Sequence, residues 1–428
     1  MSSPAALSNC MDSMSSVSAL ACRKLAIIGV NYWPETTGIG PYTTGFAEQL
    51  AAAGATVTVV TAVPHYPAWK IADAYADGGR GTETRNGVTI RRVRPRIPAQ
   101  MTAASRAAFE ASFALRAHGA AAATHADAVI GIVPSLAGAG LGAWIARQRR
   151  VPFGVIFQDL MGRSAEQSGM AGKGVATITA SLERRIARSA DLVGVVANGF
   201  SSFLEFAGVD ATRLRHLPNW CHIAPASRTR AAVRAELGWS DAQTIALHAG
   251  NMGAKQALEN VVEAARLAEI ERPHVRFVLM GDGSRRRALE ELGRGLRNLM
   301  FVDPQPSETF PDVLAAADVL VVNERATVRD MSLPSKLTSY FASRRPVVAA
   351  VRADGTTAAE LRRADAGVLV APGDPHALLA AVDALGRDVN RAADLGLRGY
   401  AYASDYLGQV AAAERSVAFV SDLLKCCR

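Results

Sequence analysis

Lys24 to Val30 reads KLAIIGV, Asn31 to Gly40 reads NYWPETTGIG, and Ala55 to Thr61 reads ATVTVVT. The first stretch is a short apolar run of the kind a strand shows when both its faces are covered. The third is rich in β-branched residues, which suit a pleated surface. Between them a helix runs to about Ala53 and stops at Gly54, because glycine ends a helix cheaply. Strand, glycine-bearing loop, helix and strand make one βαβ unit, and its repetition predicts a parallel sheet covered on both faces.

The alternation continues along the chain. Further strands are expected at Val88–Val93, Asp127–Ile132, Pro152–Phe157, Asp191–Val196 and Arg213–Leu217, with helices at Ser135–Arg149 and Lys173–Ser189. Around Pro218, Asn219, Trp220, Cys221, His222 and Pro225 the pattern breaks, then restarts. Thr244–His248, Val275–Met280, Asp318–Val322, Pro346–Ala350 and Gly367–Ala371 read as strands, and Lys255–Ile270 and Ser284–Gly295 as helices. The expected organisation is a disordered tail over 1–23, one α/β domain over 24–222, a second over 223–400, and a C-terminal helix over 401–428 that packs back toward the first domain.

Composition excludes several classes. The chain has 428 residues, 49 % apolar and 20 % charged, which describes a globular chain and not a disordered one. No apolar run reaches the roughly 18–20 residues that span a bilayer. The first residues lack the basic start and apolar centre of a secretory signal. Five cysteines, Cys10, Cys22, Cys221, Cys426 and Cys427, show no metal-ligand spacing, and this usage suits a reducing cytoplasm. The net charge of +8 invites an anionic partner, either a phosphorylated substrate or an anionic membrane surface. Nucleic acid is not indicated, since the basic residues are scattered and carry no recognition motif. For membrane contact the candidate is Met101–Ala123, which mixes Phe109, Phe113 and Leu115 with Arg106 and Arg116. Its spacing equally fits a helix packed on a core.

Ligands of open α/β sheets bind beyond the carboxyl ends of the strands, so four strand-end loops carry the chemistry. In the first, Gly38 and Gly40 free the backbone to approach a phosphate, or simply make a tight turn. A dinucleotide fingerprint would need a third glycine where Thr43 stands. In the second, His248 to Lys255 (HAGNMGAK), Gly250 and Gly253 permit a sharp turn past Asn251. Lys255 is expected in the first turn of the following helix, where a cation opposes the helix dipole unless an anion is bound. The third is Gly281-Asp282-Gly283, a turn or a ligand loop. In the fourth, Leu333-Pro334-Ser335-Lys336-Leu337 opens a helix, with Ser335 as either a plain cap or part of an anion site.

These stretches occur in an order that resembles a known family. Gly38-Ile39-Gly40 after Tyr32-Trp33-Pro34-Glu35, Val63-Pro64-His65-Tyr66-Pro67 with Trp69, Phe157-Gln158-Asp159, Pro218-Asn219-Trp220, Gly250-Asn251 through Lys255, Leu258-Glu259-Asn260-Val261 and Leu333 to Thr338 together resemble retaining glycosyltransferases of the colanic-acid-biosynthesis type, which are family 4-like. The resemblance covers residues 24 to about 425. It implies the GT-B fold, two Rossmann-like domains facing an interdomain cleft, with a UDP- or GDP-linked sugar as co-substrate and no other cofactor. It also implies a lipid-linked or glycan acceptor at the N-terminal domain, with His65 and Tyr66 as candidate contacts. The implied location is cytoplasmic, with peripheral contact at the inner face of the plasma membrane.

By the same resemblance, Lys255 contacts the donor diphosphate, Ser335, Lys336 and Leu337 cradle diphosphate and ribose, and Gly38 and Gly40 close on the donor. Asn251 and Gly281 join the donor set, and Asp159 is the best polar candidate for the reacting centre. The departures are specific. Broader relatives carry two glutamates with seven residues between them, and here those places hold Met331 and Ser339. A metal site is not expected, for no His, Cys or paired Asp motif has ligand spacing. Charge on the departing diphosphate then falls to lysines and helix termini. The readings left standing against transfer are an NAD-dependent oxidoreductase and a non-catalytic nucleotide-sugar-binding protein.

Overall fold

The computed structural model describes residues 20–76, 81–99, 102–160, 173–328 and 335–426, and the side chains of Lys173, Ala176 and Ser335 are outside that description. The chain divides into two compact units, Met1–Pro218 with Val410–Arg428, and Asn219–Gln409. Sequence placed the change at residue 222 and the returning helix from 401. The first unit instead ends at Pro218 and takes back the chain from Val410.

The first unit is built on one sheet. Its strands are β1 (Lys24–Ile28), β2 (Thr56–Ala62), β3 (Thr82–Arg85), β4 (Val88–Val93), β5 (Ala128–Val133), β6 (Phe153–Phe157), β7 (Leu192–Val195) and β8 (Leu214–His216). Their order is β3-β4-β2-β1-β5-β6-β7-β8, parallel throughout except for β3, which runs antiparallel along β4. β1, β5 and β6 are almost wholly buried, as their unbroken apolar runs demand. The helix Gln409–Lys425 belongs to this unit: Phe419 meets Phe46 edge to face, Ser416 donates to Gln49 Oε1 at 2.9 Å, and Arg215 pairs with Asp422. Gly154 makes room for it, since a Cβ there would stand 2.9 Å from Leu423.

Two expectations need correction in this unit. Of the tail, residues 1–19 lie outside the described residues. Leu20, however, is buried, and Arg23 N–H donates to its carbonyl, so the end of the expected tail is part of the folded unit. The helix for which membrane contact and core packing were both open is Ala103–Ala122, capped by Thr102. Phe109 and Phe113 are fully buried in it, Arg106 pairs with Glu110 at 2.9 Å, and Leu115 alone of the three apolar residues stands out, at 80 % exposure. Its apolar face is spent on the core, which removes the motive for an interfacial helix.

The second unit carries β9 (Thr244–Ala249), β10 (Val275–Met280), β11 (Leu299–Val302), β12 (Val319–Asn323), β13 (Val347–Ala350) and β14 (Gly367–Val370), all parallel, in the order β11-β10-β9-β12-β13-β14. Apolar cores lie on both sides of it, one around Leu247, Val322 and Phe341, the other around Ala246, Val321 and Leu378. The chain reverses its direction of winding between β9 and β12, the point where sheets of this order open a crevice for ligands. No helix among the described residues is long and apolar enough to cross a membrane.

Candidate functional site

The loops at the carboxyl ends of β9, β10 and β12 interlock in the second unit. Gly250 N–H donates to Met280 O and Met252 N–H to Asp282 O, both at 2.8 Å, so the β9 and β10 loops are laced together. Three glycines permit this. Gly250, Gly281 and Gly283 all adopt positive φ, and a Cβ on Gly281 would lie 2.0 Å from Gly250 O. A Cβ on Gly283 would lie 2.6 Å from Asn251 Oδ1, so Asn251, Gly250 and Gly281 form one close-packed edge.

Lys255 stands elsewhere than expected. The helix begins at Glu259, and Lys255 occupies an exposed turn four residues earlier. The side-chain amide of Asn323, at the end of β12, donates to Gln256 O and Ala257 O at 2.7 and 2.9 Å, and Arg325 N–H donates to Lys255 O at 2.8 Å. Ala257 is thereby held at a φ of +44°, which breaks helical geometry. The conflict with the helix dipole inferred from sequence therefore does not exist. What fixes Lys255 is a turn tied to the neighbouring strand. Asn323 also accepts from Asn260 Nδ2 at 2.8 Å, so one buried amide organises the whole connection.

Lys336 lies one residue into the helix Ser335–Ala342 and reaches back under the glycine edge. Its Nζ is 3.4 Å from His248 Nε2, and a Cβ on Gly250 would be 3.8 Å from that ammonium. Desolvation lowers the Lys336 pKa to about 8, against an opposing pull from Glu324, which raises it. Burial pushes the Glu324 carboxyl up, although Thr357 donates to it at 2.8 Å. Leu337 is buried in the core, which leaves only its backbone for a ligand. Leu333, Pro334 and Met331 lie outside the described residues, as does the side chain of Ser335. Ser339 is described and buried.

The first unit carries a different cluster. Glu35 is buried, and its carboxylate accepts from the backbone N–H groups of His65 and Tyr66 at 2.8 and 2.9 Å and from Asn31 Nδ2 at 2.7 Å. His65 is 3 % exposed, bonded through Nδ1 to Val63 O at 2.9 Å and flanked by Trp69 and Phe109. Its ring is thus part of the interior and is not offered to an acceptor. Tyr66, at 37 % exposure, is the open member of that pair. It crowds Gly38, where a Cβ would come within 2.8 Å of its ring. Gly40 opens the helix Gly40–Ala52 against the Glu35 carbonyl, 2.7 Å from where a Cβ would sit. Asp159, two residues beyond β6, is half-buried.

Sequence reading passed over Glu35, His248, Asn323 and Glu324. The last two had a visible signal, a polar pair at the end of the apolar run Val319–Val322. His248 had one too, as the single titratable residue inside its strand.

Residues 37–220 match the glycosyl transferase 4-like domain, and residues 243–388 match glycosyl transferases group 1. The chain is 34 % identical over 335 residues, 74 % of its length and 81 % of the other's, to a protein of Escherichia coli (strain K12) named as a colanic acid biosynthesis glycosyl transferase, WcaI. In fold it is similar to sucrose-phosphate synthase from Thermosynechococcus elongatus, with a TM-score of 0.70, 20 % identity, and coverage of 94 % of this chain and 99 % of that one. It is also similar to HepE of Anabaena in complex with UDP and glucose, with a TM-score of 0.66, 17 % identity, and coverage of 94 % and 99 %. Nothing in these likenesses supports an oxidoreductase. The chain belongs to the 4-like, group 1 glycosyltransferases and has their GT-B fold of two Rossmann-like domains.

Proposed function

We propose that the enzyme transfers a hexosyl or deoxyhexosyl unit from a UDP- or GDP-linked donor to a lipid-linked or glycan acceptor, with retention, in the building of surface or extracellular polysaccharide. The observation that carries this reading is the β9–β10–β12 edge. A desolvated lysine sits beneath a glycine-lined turn at the winding reversal of a parallel sheet, which is a place shaped for a diphosphate. HepE of Anabaena, similar in fold, is seen with UDP, and the Escherichia coli relative is named for colanic acid biosynthesis. Both support the donor class and the product class.

Transfer passes through a cationic sugar as the diphosphate departs, so stabilising the growing negative charge is the main task. Lys255 and Lys336 are the side chains we assign to it. Attack from the same face, with the departing phosphate taking the acceptor's proton, gives retention without an enzyme nucleophile. Asp159, Asn251, Gly38, Gly40, Gly281 and the Ser335 helix start complete the proposed donor and reaction set, with Tyr66 toward the acceptor. No divalent metal is assigned a role. The proposed place of action is the cytoplasmic side of a membrane that presents the lipid-linked acceptor.

The test is a melting-point screen against UDP, GDP and their sugars, because a ligand of the folded state raises the melting point. Transfer with the stabilising donor is then measured with and without EDTA. A rise with one nucleotide family and EDTA-resistant transfer are expected. Absence of any rise refutes the donor assignment, and loss of transfer restored by manganese refutes metal independence.

A further inference from the structure

His248 is an unusual residue for the inside of a parallel strand. It is fully buried in β9, and its Nδ1 faces Val321 O at 3.2 Å on the adjacent β12. A carbonyl can only accept, so a neutral ring bonded there carries its proton on Nδ1. Nε2 then presents a lone pair to Lys336 Nζ at 3.4 Å. The ring stays neutral for the same reasons: desolvation first, then the nearby ammonium, hold its pKa well below the usual histidine value, against backbone groups of Val321 and Asn251. Among the described residues, the charged or titratable groups facing Lys336 are His248 from β9 and Glu324 from the end of β12. The glycine turn contributes none, and Gly250 leaves that side open.

We propose that His248 is a positioning residue, a neutral hydrogen-bond acceptor that aims the Lys336 ammonium at the glycine edge and keeps it protonated for a diphosphate. An ammonium has three protons to place. One goes to the imidazole, Glu324 supplies compensating charge, and the remainder point to the open side where a phosphate oxygen would accept. The inference rests on Lys336 as a diphosphate partner, yet it makes a claim about the ligand-free protein that can be tested separately.

The chain has six lysines, Lys24, Lys70, Lys173, Lys255, Lys336 and Lys425, so 13Cε-labelled lysine gives few signals and Lys336→Arg assigns the one of interest. Its titration in the ligand-free protein is followed in wild type, His248→Leu and His248→Gln. The wild-type midpoint is expected near 8. His248→Leu removes the acceptor and drops the midpoint by about one unit or more, a tenfold change in the protonation equilibrium. His248→Gln, whose amide oxygen still accepts, stays near wild type. UDP binding by calorimetry at pH 7.5 then weakens roughly threefold in His248→Leu, in step with the smaller charged fraction. An unchanged Lys336 midpoint in both variants overturns the inference. Should His248→Leu not fold, a midpoint in His248→Gln that moves down by a unit also overturns it. Failure of wild-type UDP binding with the predicted midpoints counts against the donor reading alone.

Discussion

The loop after β1 and the loop after β9 leave central strands of two sheets whose parallel strands wind outward from them in the same way, and each loop carries a glycine at positive φ, Gly38 and Gly250. Their interiors are opposite in sign. Beyond β1, a buried carboxylate, Glu35, takes the backbone N–H groups of His65 and Tyr66. Beyond β9, the turn is tied by the neutral amide of Asn323, and the desolvated group beneath it is the ammonium of Lys336. Topology alone therefore does not make an anion site. In the first unit the protein fills an amide-rich corner with its own carboxylate, which leaves a preformed scaffold. In the second, the described residues compensate the cation only in part, which is costly unless further negative charge completes it.

The contrast is broken most severely at Lys255. Lys255→Ala should slow transfer a hundredfold or more, since losing one contact to the departing charge costs about 3–4 kcal/mol. The turn that carries it is held by Asn323 and Arg325 through backbone groups, so the ligand-free melting point should stay within the small range of surface substitutions. Lys255→Arg should recover only part of the rate, a planar fork being a poor copy of a compact ammonium. A paired measurement of turnover and melting decides this, and near-normal turnover removes Lys255 from the donor site.

Glu35→Ala should act in the opposite way. Three buried or half-buried N–H donors lose their partner, at a cost of about 2–4 kcal/mol of stability in denaturant unfolding. UDP affinity should remain within about twofold, because the nucleotide is assigned to the second unit. Equal loss of UDP affinity would show that the two loops do not divide their work as their charges indicate.

Much of this was legible in the sequence. Val88–Val93, Val275–Met280 and Lys173–Ser189 have the boundaries their composition announces, and most other strands are off by one or two residues. β3 and β11 were missed because Thr82–Arg85 is polar and Leu299–Val302 is only four residues long, and both lie at sheet edges. The start of the helix at Glu259 was misread because Asn323, 66 and 67 residues away, is what bends the chain at Ala257 and Gln256. Local pattern carries no record of such a contact. Nor does it tell a buried imidazole from a surface one, so His248 and Glu35 showed their roles only once strands and loops were in place. Phe109 and Phe113 misled for the converse reason, since apolar spacing on a helix does not say whether core or lipid covers it.

The central claim, that the second unit binds the donor diphosphate through Lys336, is tested most directly by melting wild type and Lys336→Met with and without UDP. Desolvation lowers the Lys336 pKa in the folded protein, from 10.5 to about 8. Between those values the unfolded chain holds a proton that the folded chain has released, so this residue makes stability rise with pH across that window. Below about pH 8 the charge on this half-buried, desolvated group is a standing cost. Lys336→Met should therefore melt at or above the wild-type temperature at pH 7, by on the order of 1 kcal/mol of added stability, and should show no rise with UDP where wild type does. A variant that melts lower than wild type and still gains full stabilisation from UDP would contradict the account.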